Sequence, residues 1–284
     1  MANESTNTSL NDLLSPIVAE ALFVASEKSI MRGLVRNYTM ASNTGKTVQV
    51  PIYPNISAAA VSEATDLDNT EVAASVANLT VSEVGVMTTL TDLAMKTSES
   101  DVVSDIGRLF GEAIARKIDV DLVGQFGNFT NTIIGTFVDG NPLAVNDLFN
   151  AARVLRGLGI DASQCAAVFH PDVAYDLKSG LTNTFANPAG QVGNEALRSG
   201  FIGTIAGINC YESGNISYTD NAGDYRGAVF HPDGMGLAML QDLKIETQRD
   251  ASMRGTEIVA TAVYGTGILH GTYGVEVRAD ASLV

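Results

Sequence analysis

Histidine and aspartate residues in a repeated hexapeptide are the first candidates for chemistry in this chain. Ala-Val-Phe-His-Pro-Asp occurs at 167–172 and again at 228–233. Imidazole and carboxylate groups are common metal ligands, so the two copies together could form a metal site. Neither His has a second ligand at the helical or zinc-like spacing that such sites use. We therefore interpret each copy as a buried strand that ends in a proline turn, and we expect no metal.

Patterns typical of hydrolases and nucleotide-binding proteins do not occur in the sequence. There is no G-x-S-x-G elbow, no S-x-x-K pair and no P-loop. Gly265, Gly267 and Gly271 nearly match the dinucleotide fingerprint, but the last gap is one residue too long and no helix is predicted after them. The sequence predicts no catalytic residue and no cofactor, so we do not expect an enzyme.

The composition favours a large core and a surface covered by other subunits. Of 284 residues, 45% are hydrophobic and only 17% are charged, which is low for a monomer. The net charge is −15. Because nucleic-acid affinity depends mainly on Lys and Arg contacts to phosphates, direct DNA or RNA binding is not expected. An acidic protein that encloses DNA would instead avoid adhering to it.

The cysteines and the N-terminal segment indicate an intracellular protein. Cys165 and Cys210 form no CxxC pair, which favours two buried thiols in a reducing compartment. The most apolar N-terminal stretch, 17–25, is interrupted by Glu20. We therefore expect no signal peptide, no membrane span and no membrane partner.

The elements that must position these residues are organised around one long amphipathic helix, predicted from Ser98 to Phe126. Ser98 is a plausible N-cap, and charged residues fill much of the opposite face. Apolar residues at three- and four-residue spacing form the predicted inner face: Val103, Ile106, Phe110, Ile114, Ile118, Leu122 and Phe126. A second group is predicted to widen that face: Val102, Leu109, Ala113, Val120 and Val123.

A long acidic segment precedes the helix. Residues 46–53 and 76–91 have the alternation of strands, and between them the residues are small or acidic. From Thr47 to Met95 there is no Lys, Arg or His. Such a segment buries too little to fold alone, so it is either disordered or a two-stranded hairpin that lies on a partner. The strands of opposite sense favour the hairpin.

The rest of the chain predicts an α+β fold in which helices are segregated from the sheet. A capping box at Ser9 opens a helix in an N-terminal arm, and further helices are predicted at 146–158, with Phe149 inward, and from Pro171 to Leu177. Five strand-like segments predict an antiparallel sheet in the last quarter: 228–231, 236–240, 244–248, 257–264 and 274–278.

This order of parts resembles the tailed-bacteriophage major capsid proteins of the Hong Kong ninety-seven type. The resemblance covers nearly the whole chain from about residue 30, and the order of the similar segments is more specific than any single segment. The similar segments are Lys46–Pro51 at the first strand of the extended loop, Leu90–Ser98 before the spine helix, Ile202–Glu212 near the axial domain, and Val229–Gly236 and Ile245–Asp250 in late peripheral-domain strands.

The resemblance implies a major capsid protein that self-assembles, as hexamers and pentamers, into an icosahedral shell around double-stranded DNA. It implies a virion protein assembled in the host cytoplasm, with a portal as partner and a decoration protein as a further candidate partner. The implied parts are an N-terminal arm (1–45), an extended β-hairpin loop (46–95), the spine helix with peripheral domain (96–145), a mainly axial domain (146–240), and peripheral-domain sheet with the C-terminus (241–284).

The acidity of the extended loop suggests where it contacts the next subunit. We expect its acidic residues to dock near basic residues of the neighbouring spine helix, a complementarity that fixes register more than affinity. The acidic residues are Glu63, Asp66, Asp68 and Glu71, and the basic ones are Arg108, Arg116 and Lys117.

The sequence departs from the family pattern in two ways. The founding member crosslinks its subunits through a lysine in the extended loop, whereas this loop has no lysine beyond Lys46 at its base. Covalent crosslinking is therefore not expected. Only about 30 residues precede the shell-forming part, which predicts a separate scaffolding protein.

Two other functions fit parts of the sequence. An encapsulin-type compartment would share the fold and enclose a cargo protein rather than DNA, although the polar arm and long hairpin favour the virus. A flagellin or surface-layer protein fits the Ala, Ser, Thr and Asn bias but would need long helical heptads at both ends, and the C-terminus here is strand-like.

Overall fold

The computed structural model describes residues 29–41, 45–53, 56, 58, 60–61, 69, 71–97, 102–134, 142–184, 201–217 and 224–282. The helices in this part are α1 (Asp92–Thr97), α2 (Val102–Val123), α3 (Val145–Gly157) and α4 (Pro171–Thr184). The strands are β1 (Arg36–Thr39), β2 (Thr47–Ile52), β3 (Ser75–Thr80), β4 (Ser82–Thr91), β5 (Asn131–Ile134), β6 (Ala166–Phe169), β7 (Phe201–Ile205), β8 (Ile208–Glu212), β9 (Asp224–Phe230), β10 (Met235–Asp250), β11 (Gly255–Ile268) and β12 (Gly274–Asp280). The predicted α+β class is confirmed.

Two sheets form the body of the molecule. The first has the order β1-β10-β11-β4, in which β1 runs parallel to β10 and the other pairs are antiparallel. The second has the order β5-β12-β9-β6-β8-β7. The prediction of one antiparallel sheet in the last quarter is wrong, because β10 and β11 belong to the first sheet and β9 and β12 to the second. The predicted segments 236–240 and 244–248 are one continuous strand with bulges after Met239.

The predicted hairpin is confirmed at its base. β2 pairs antiparallel with β3, from Thr47 opposite Thr80 to Ile52 opposite Ser75. The returning strand is not continuous as predicted, since it breaks at the buried Val81, whose N–H donates to the Lys46 carbonyl at 2.9 Å. Beyond this break, β4 leaves the hairpin and pairs with β11 in the body.

The long helix α2 packs across the first sheet. Its predicted inner face is confirmed for four residues that are nearly inaccessible to solvent: Phe110, Ile114, Ile118 and Leu122. The helix ends at Val123, and Phe126 lies in a following 3-10 turn where it is fully buried. The proposed cap Ser98 lies outside the described residues.

The predicted widening of that inner face is wrong for three residues. Leu109, Ala113 and Val120 are exposed. Phe149 on α3 is also half exposed, because Leu148, Ala152 and Leu155 already occupy the buried face of that helix. Spacing alone therefore placed too many apolar residues inward.

The described residues before the hairpin, 29–41, pack on the body of the same chain. Met31 and Val35 are buried in the main core, and β1 adds a parallel edge strand beside β10. The helix predicted to open at Ser9 lies outside the described residues. No helix in the described part is long and apolar enough to cross a membrane.

Candidate functional site

The two His-Pro-Asp turns lie at opposite ends of one pair of strands. β6 and β9 are antiparallel neighbours, with Ala167 opposite Val229 and Val168 opposite Ala228, so the two repeated segments pair with each other. Each strand ends at the Phe before its His, and each Pro occupies the first turn of the helical segment that follows. The interpretation of each copy as a buried strand ending in a proline turn is confirmed.

In both turns the imidazole caps the helical segment. The His170 Nδ1 atom accepts the Asp172 N–H at 3.3 Å, and the His231 Nδ1 atom accepts the Asp233 N–H at 3.2 Å. One ring nitrogen of each His is thus used in a cap. Among the described residues no group of three or more His, Cys, Asp or Glu side chains has an arrangement that could hold a metal ion.

The two cysteine thiols are free, buried and poorly suited to nucleophilic chemistry. Burial raises the pKa of Cys165 to about 11 and that of Cys210 to about 12. Because the thiolate is the reactive form and burial disfavours it, neither thiol is suited to act as a nucleophile. Both residues are instead packed as small apolar side chains.

Two aspartates on α2 attach the helix to other parts of the molecule. Asp119 is 1% exposed and accepts hydrogen bonds from Ser29 Oγ at 2.7 Å, Ile30 N at 3.2 Å and Met31 N at 3.3 Å. Burial raises the pKa of the Asp119 carboxyl, and these hydrogen bonds oppose the rise. The residue pattern predicts Asp119 among the charged residues opposite the inner face, and it gives no sign of the contacts with residues 29–31.

Asp121 connects the same helix to the first sheet. The Tyr264 hydroxyl of β11 donates to Asp121 Oδ2 at 2.7 Å, and Lys117 lies 2.6 Å from Asp121 Oδ1. Burial, together with this contact to a carboxylate, raises the pKa of Tyr264. The helix is therefore held by hydrogen bonds to Asp119 and Asp121 in addition to the apolar packing of its inner face.

An exposed stripe remains on the helix. Leu109, Ala113, Arg116 and Val120 recur at four-, three- and four-residue spacing, which places them on one face, and all four are exposed. We call this set the outer stripe. Within the described part of the chain nothing covers it, although two of its members are large aliphatic residues.

The basic residues predicted for intersubunit contact lie on or beside the outer stripe. Arg108 lies 4.0 Å from Asp105 and 3.7 Å from Glu112, and Lys117 pairs with Asp121 as above. No ion pair of Arg116 is seen among the described residues. Two of the three predicted basic residues thus already have acidic neighbours on their own helix.

The acidic side of the predicted contact is described only in part. Glu71 is exposed near the start of β3, whereas Glu63, Asp66 and Asp68 lie outside the described residues. Large apolar side chains near Glu71 are also exposed on the hairpin: Tyr53, Val72 and Val76. The hairpin therefore presents both acidic and apolar groups to solvent in the single chain.

A family model described as phage capsid protein matches residues 76–277, well over half of the chain. The chain belongs to the phage capsid protein family. It is a capsid component of the virion, and its copies associate with one another in the shell. No curated protein matches the sequence.

Solved structures show the fold of this capsid protein. It is similar to the capsid structure of the cyanophage P-SCSP1u, with 21% identity, 89% of each chain covered and a TM-score of 0.69. It is also similar to the capsid of Ralstonia phage GP4, with 9% identity, 90% of this chain and 88% of that chain covered, and a TM-score of 0.69. The predicted Hong Kong ninety-seven type fold is confirmed.

The same fold also occurs in a compartment protein. The holo-SrpI encapsulin complex from Synechococcus elongatus PCC 7942 matches with 11% identity, 89% of this chain and 88% of that chain covered, and a TM-score of 0.66. Fold likeness alone therefore does not separate a phage shell from an encapsulin, and for this capsid protein the family match makes the distinction.

Proposed function

We propose that this capsid protein is the major subunit of an icosahedral shell, built of hexamers and pentamers, that encloses the double-stranded DNA genome of a tailed phage. The match to the phage capsid family over residues 76–277 is the observation that carries the proposal. The net charge of −15 supports a shell that encloses DNA without sequence-specific binding. The proposed role is structural and not enzymatic, and assembly takes place in the host cytoplasm.

The proposed division into parts follows the two sheets. The first sheet and α2 are compatible with a peripheral domain, and the second sheet with α3 and α4 is compatible with an axial domain. Several strands do not follow the boundaries drawn from the sequence. β4, inside 46–95, pairs with β11 in the first sheet, while β5, inside 96–145, and β12, inside 241–284, pair in the second sheet. β10 itself spans the boundary between 240 and 241. We assign the hairpin itself to β2, β3 and the segment between them.

We further propose that the hairpin docks on the spine helix of the next subunit. In support, the outer stripe and the hairpin both expose apolar side chains, and they carry opposite charges. Burying the apolar residues would supply affinity, at about 25 cal/mol per Å² of surface removed from water. Pairing of Glu71 with Arg116 would fix the register of the hairpin on the helix. Arg108 and Lys117 would exchange their acidic partners on their own helix for acidic residues of the docked hairpin.

Assembly and contents test the capsid role. The chain is expressed with and without the neighbouring genes, and particles are examined by electron microscopy. Closed shells, tubes or capsomer rings are expected, and particles made in an infected or induced host should contain nuclease-resistant DNA. Shells that contain a dedicated protein cargo and no DNA would establish the encapsulin function instead, and a chain that remains monomeric under all conditions would contradict both.

Charge reversal tests the docking surface. The variant with Glu63, Asp66, Asp68 and Glu71 all changed to Lys is expected to lose most of its particle yield, because repulsion replaces attraction at the rim. Glu71→Lys alone is compared with Glu83→Lys, since both are exposed glutamates and Glu83 lies on β4 in the body. Unchanged assembly and particle stability in the fourfold variant would refute the contact.

The partners of the shell are part of the same proposal. We propose a separate scaffolding protein and a portal as partners, with a decoration protein as a further candidate. Co-expression with each candidate gene tests this, and purified chain that assembles alone into shells of the correct size would refute the need for a scaffold.

A further inference from the structure

Three glycines lie where the hairpin crosses the first sheet. Gly236 of β10 is directly opposite Gly267 of β11, and Gly265 lies two residues earlier on β11, opposite Ala238. We call Gly236, Gly265 and Gly267 the glycine seat. None of the three has a positive φ, so what distinguishes them is the space above them and not the backbone conformation.

The seat is filled by the base of the hairpin. A Cβ atom at Gly267 would lie 2.7 Å from Leu79 Cδ2, and one at Gly236 would lie 2.9 Å from Leu79 Cδ1. A Cβ at Gly265 would overlap the carbonyl oxygen of Thr80. Because carbon atoms pack at about 3.5–4.0 Å, any side chain at these positions would displace the hairpin or the sheet. Leu79 is fully buried in this contact.

The seat explains the glycine spacing that resembled a dinucleotide fingerprint. Gly265 and Gly267 point to the same face of β11, two residues apart, and both meet the hairpin. Gly271 belongs to a different contact, since a Cβ there would lie 2.6 Å from Thr130 Oγ1. The spacing therefore reflects packing of backbone on backbone and no phosphate cradle.

Other contacts fasten the hairpin base at the same place. Met40, Val81 and Leu269 are buried around Leu79. The Val81 N–H donates to Lys46 O at 2.9 Å, and the Met40 N–H donates to Met239 O at 2.8 Å. Val48, Val50 and Ala77 of the hairpin pack against the same cluster, while the alternate residues of β2 are exposed, so one face of the hairpin rests on the body next to its base.

We propose that the glycine seat sets the direction in which the hairpin leaves the body, and thereby the position that the hairpin reaches on another subunit. Only the second half of this inference rests on the proposed shell function. A strand rises about 3.3 Å per residue, so Tyr53 lies about 20 Å along the hairpin from Thr47. A tilt of about 10° at the base would move that point by about 3.5 Å, which is enough to lose a specific contact.

The first test adds one methyl group at the seat. Gly265→Ala meets backbone that cannot rotate away, so the hairpin base must move. Gly157→Ala is the matched control, because a Cβ at Gly157 has no atom within 4 Å. Hydrogen exchange of residues 75–81 in unassembled subunits is expected to become about tenfold faster in Gly265→Ala and to stay unchanged in Gly157→Ala.

The second test asks whether removal of the Leu79 side chain restores the Gly267→Ala variant. Gly267→Ala meets only the end of the Leu79 side chain, so this variant is expected to fold, with a smaller exchange effect. The double variant Gly267→Ala with Leu79→Ala is expected to recover particle shape relative to Gly267→Ala, because the obstructing atoms are gone. Leu79→Ala should not rescue Gly265→Ala, whose obstruction is the Thr80 carbonyl.

The results separate this inference from the proposed function. Altered particle diameter, or open sheets in place of closed shells, together with faster exchange, is expected for Gly265→Ala. Normal exchange and normal particles in both Gly265→Ala and Gly267→Ala would show that the glycine seat does not set the direction of the hairpin. Faster exchange with normal particles would show that this direction does not matter for assembly. If the unmodified chain forms no particles under any condition, it is the shell function that fails.

Discussion

The two copies of Ala-Val-Phe-His-Pro-Asp have the same residues and the same cap but lead into different structures. After the first copy, the helical segment continues for 14 residues as α4. After the second, it stops after a three-residue turn, Pro232–Gly234, and the chain enters the 16-residue strand β10. The hexapeptide therefore determines how a helical turn begins, and the residues after it determine whether the helix continues.

The difference follows from the next few residues. Val173, Ala174 and Leu177 recur at helical spacing and are all buried. After the second copy the sequence is Gly234-Met235-Gly236, and each interior glycine costs a helix about 1 kcal/mol relative to Ala. Gly236 is also needed in the glycine seat, where only the extended strand brings it opposite Gly267.

The largest expected effect is at the buried face that only the first copy possesses. Leu177→Ala should destabilise unassembled subunits by about 2–5 kcal/mol, because it leaves a cavity in the core. Tyr175→Ala, at a half-exposed position on the same helix, is the control and should change the free energy of unfolding by about 1 kcal/mol or less. Urea unfolding measures both, and equal effects would mean that α4 is not held by this face.

A smaller effect is expected at the polar attachment of α4 to the end of the chain. Asp176 is buried and accepts hydrogen bonds from the N–H and the hydroxyl of Ser282, the former at 2.9 Å. Asp176→Ala should cost about 1.5–3 kcal/mol, since it removes two hydrogen bonds to a charged carboxylate. At the second turn, Arg36→Ala removes an exposed pair with Asp233 and should cost at most about 1 kcal/mol. Thermal unfolding of the two variants should rank in that order.

Removal of the imidazole caps compares how much stability the same cap contributes in the two copies. His170→Ala should cost about 1 kcal/mol, the usual loss for an N-cap, because it leaves the first turn of a long helix without its acceptor. It also removes the stacking of His170 on Tyr225, whose ring centroids lie 3.7 Å apart. His231→Ala should cost less, since it opens only a single turn. His170→Asn retains an acceptor and should recover part of the loss, and no recovery would show that the ring contact dominates.

The smallest expected effect is a pH dependence that arises at His170 in the first copy. Burial lowers the pKa of His170, and the nearby Asp172 carboxylate opposes this shift. The folded state therefore disfavours protonation, so stability present above the unfolded pKa of about 6.5 is lost as the pH falls below it, until the folded pKa is passed. Melting temperatures between pH 7.5 and 5 should fall less steeply for His170→Asn than for the unmodified protein, and parallel curves would contradict this.

The parts that the sequence predicted correctly depend on local periodicity. The spine helix, the hairpin base and the strands that end in proline turns all follow from residue spacing over a few turns or strands. The distribution of strands between the two sheets could not be predicted, because β4 and β11 pair across more than 160 residues and no local pattern encodes that register. The burial of Asp119 and the function of the glycine seat were missed for the same reason, since their partners are Ser29 and Leu79, far away in the sequence.

The acidic hairpin has a practical consequence for protein chemistry. Because Lys46 and Lys96 are the nearest basic residues on either side of it, complete tryptic digestion of the unfolded chain yields the whole extended loop as one peptide, from Thr47 to Lys96. Resistance of the loop to trypsin therefore carries no information on whether it is docked, and amine-reactive labels have no lysine between Thr47 and Met95 to modify. Proteases that cleave after glutamate or after Tyr53 are the appropriate probes of the loop before and after assembly.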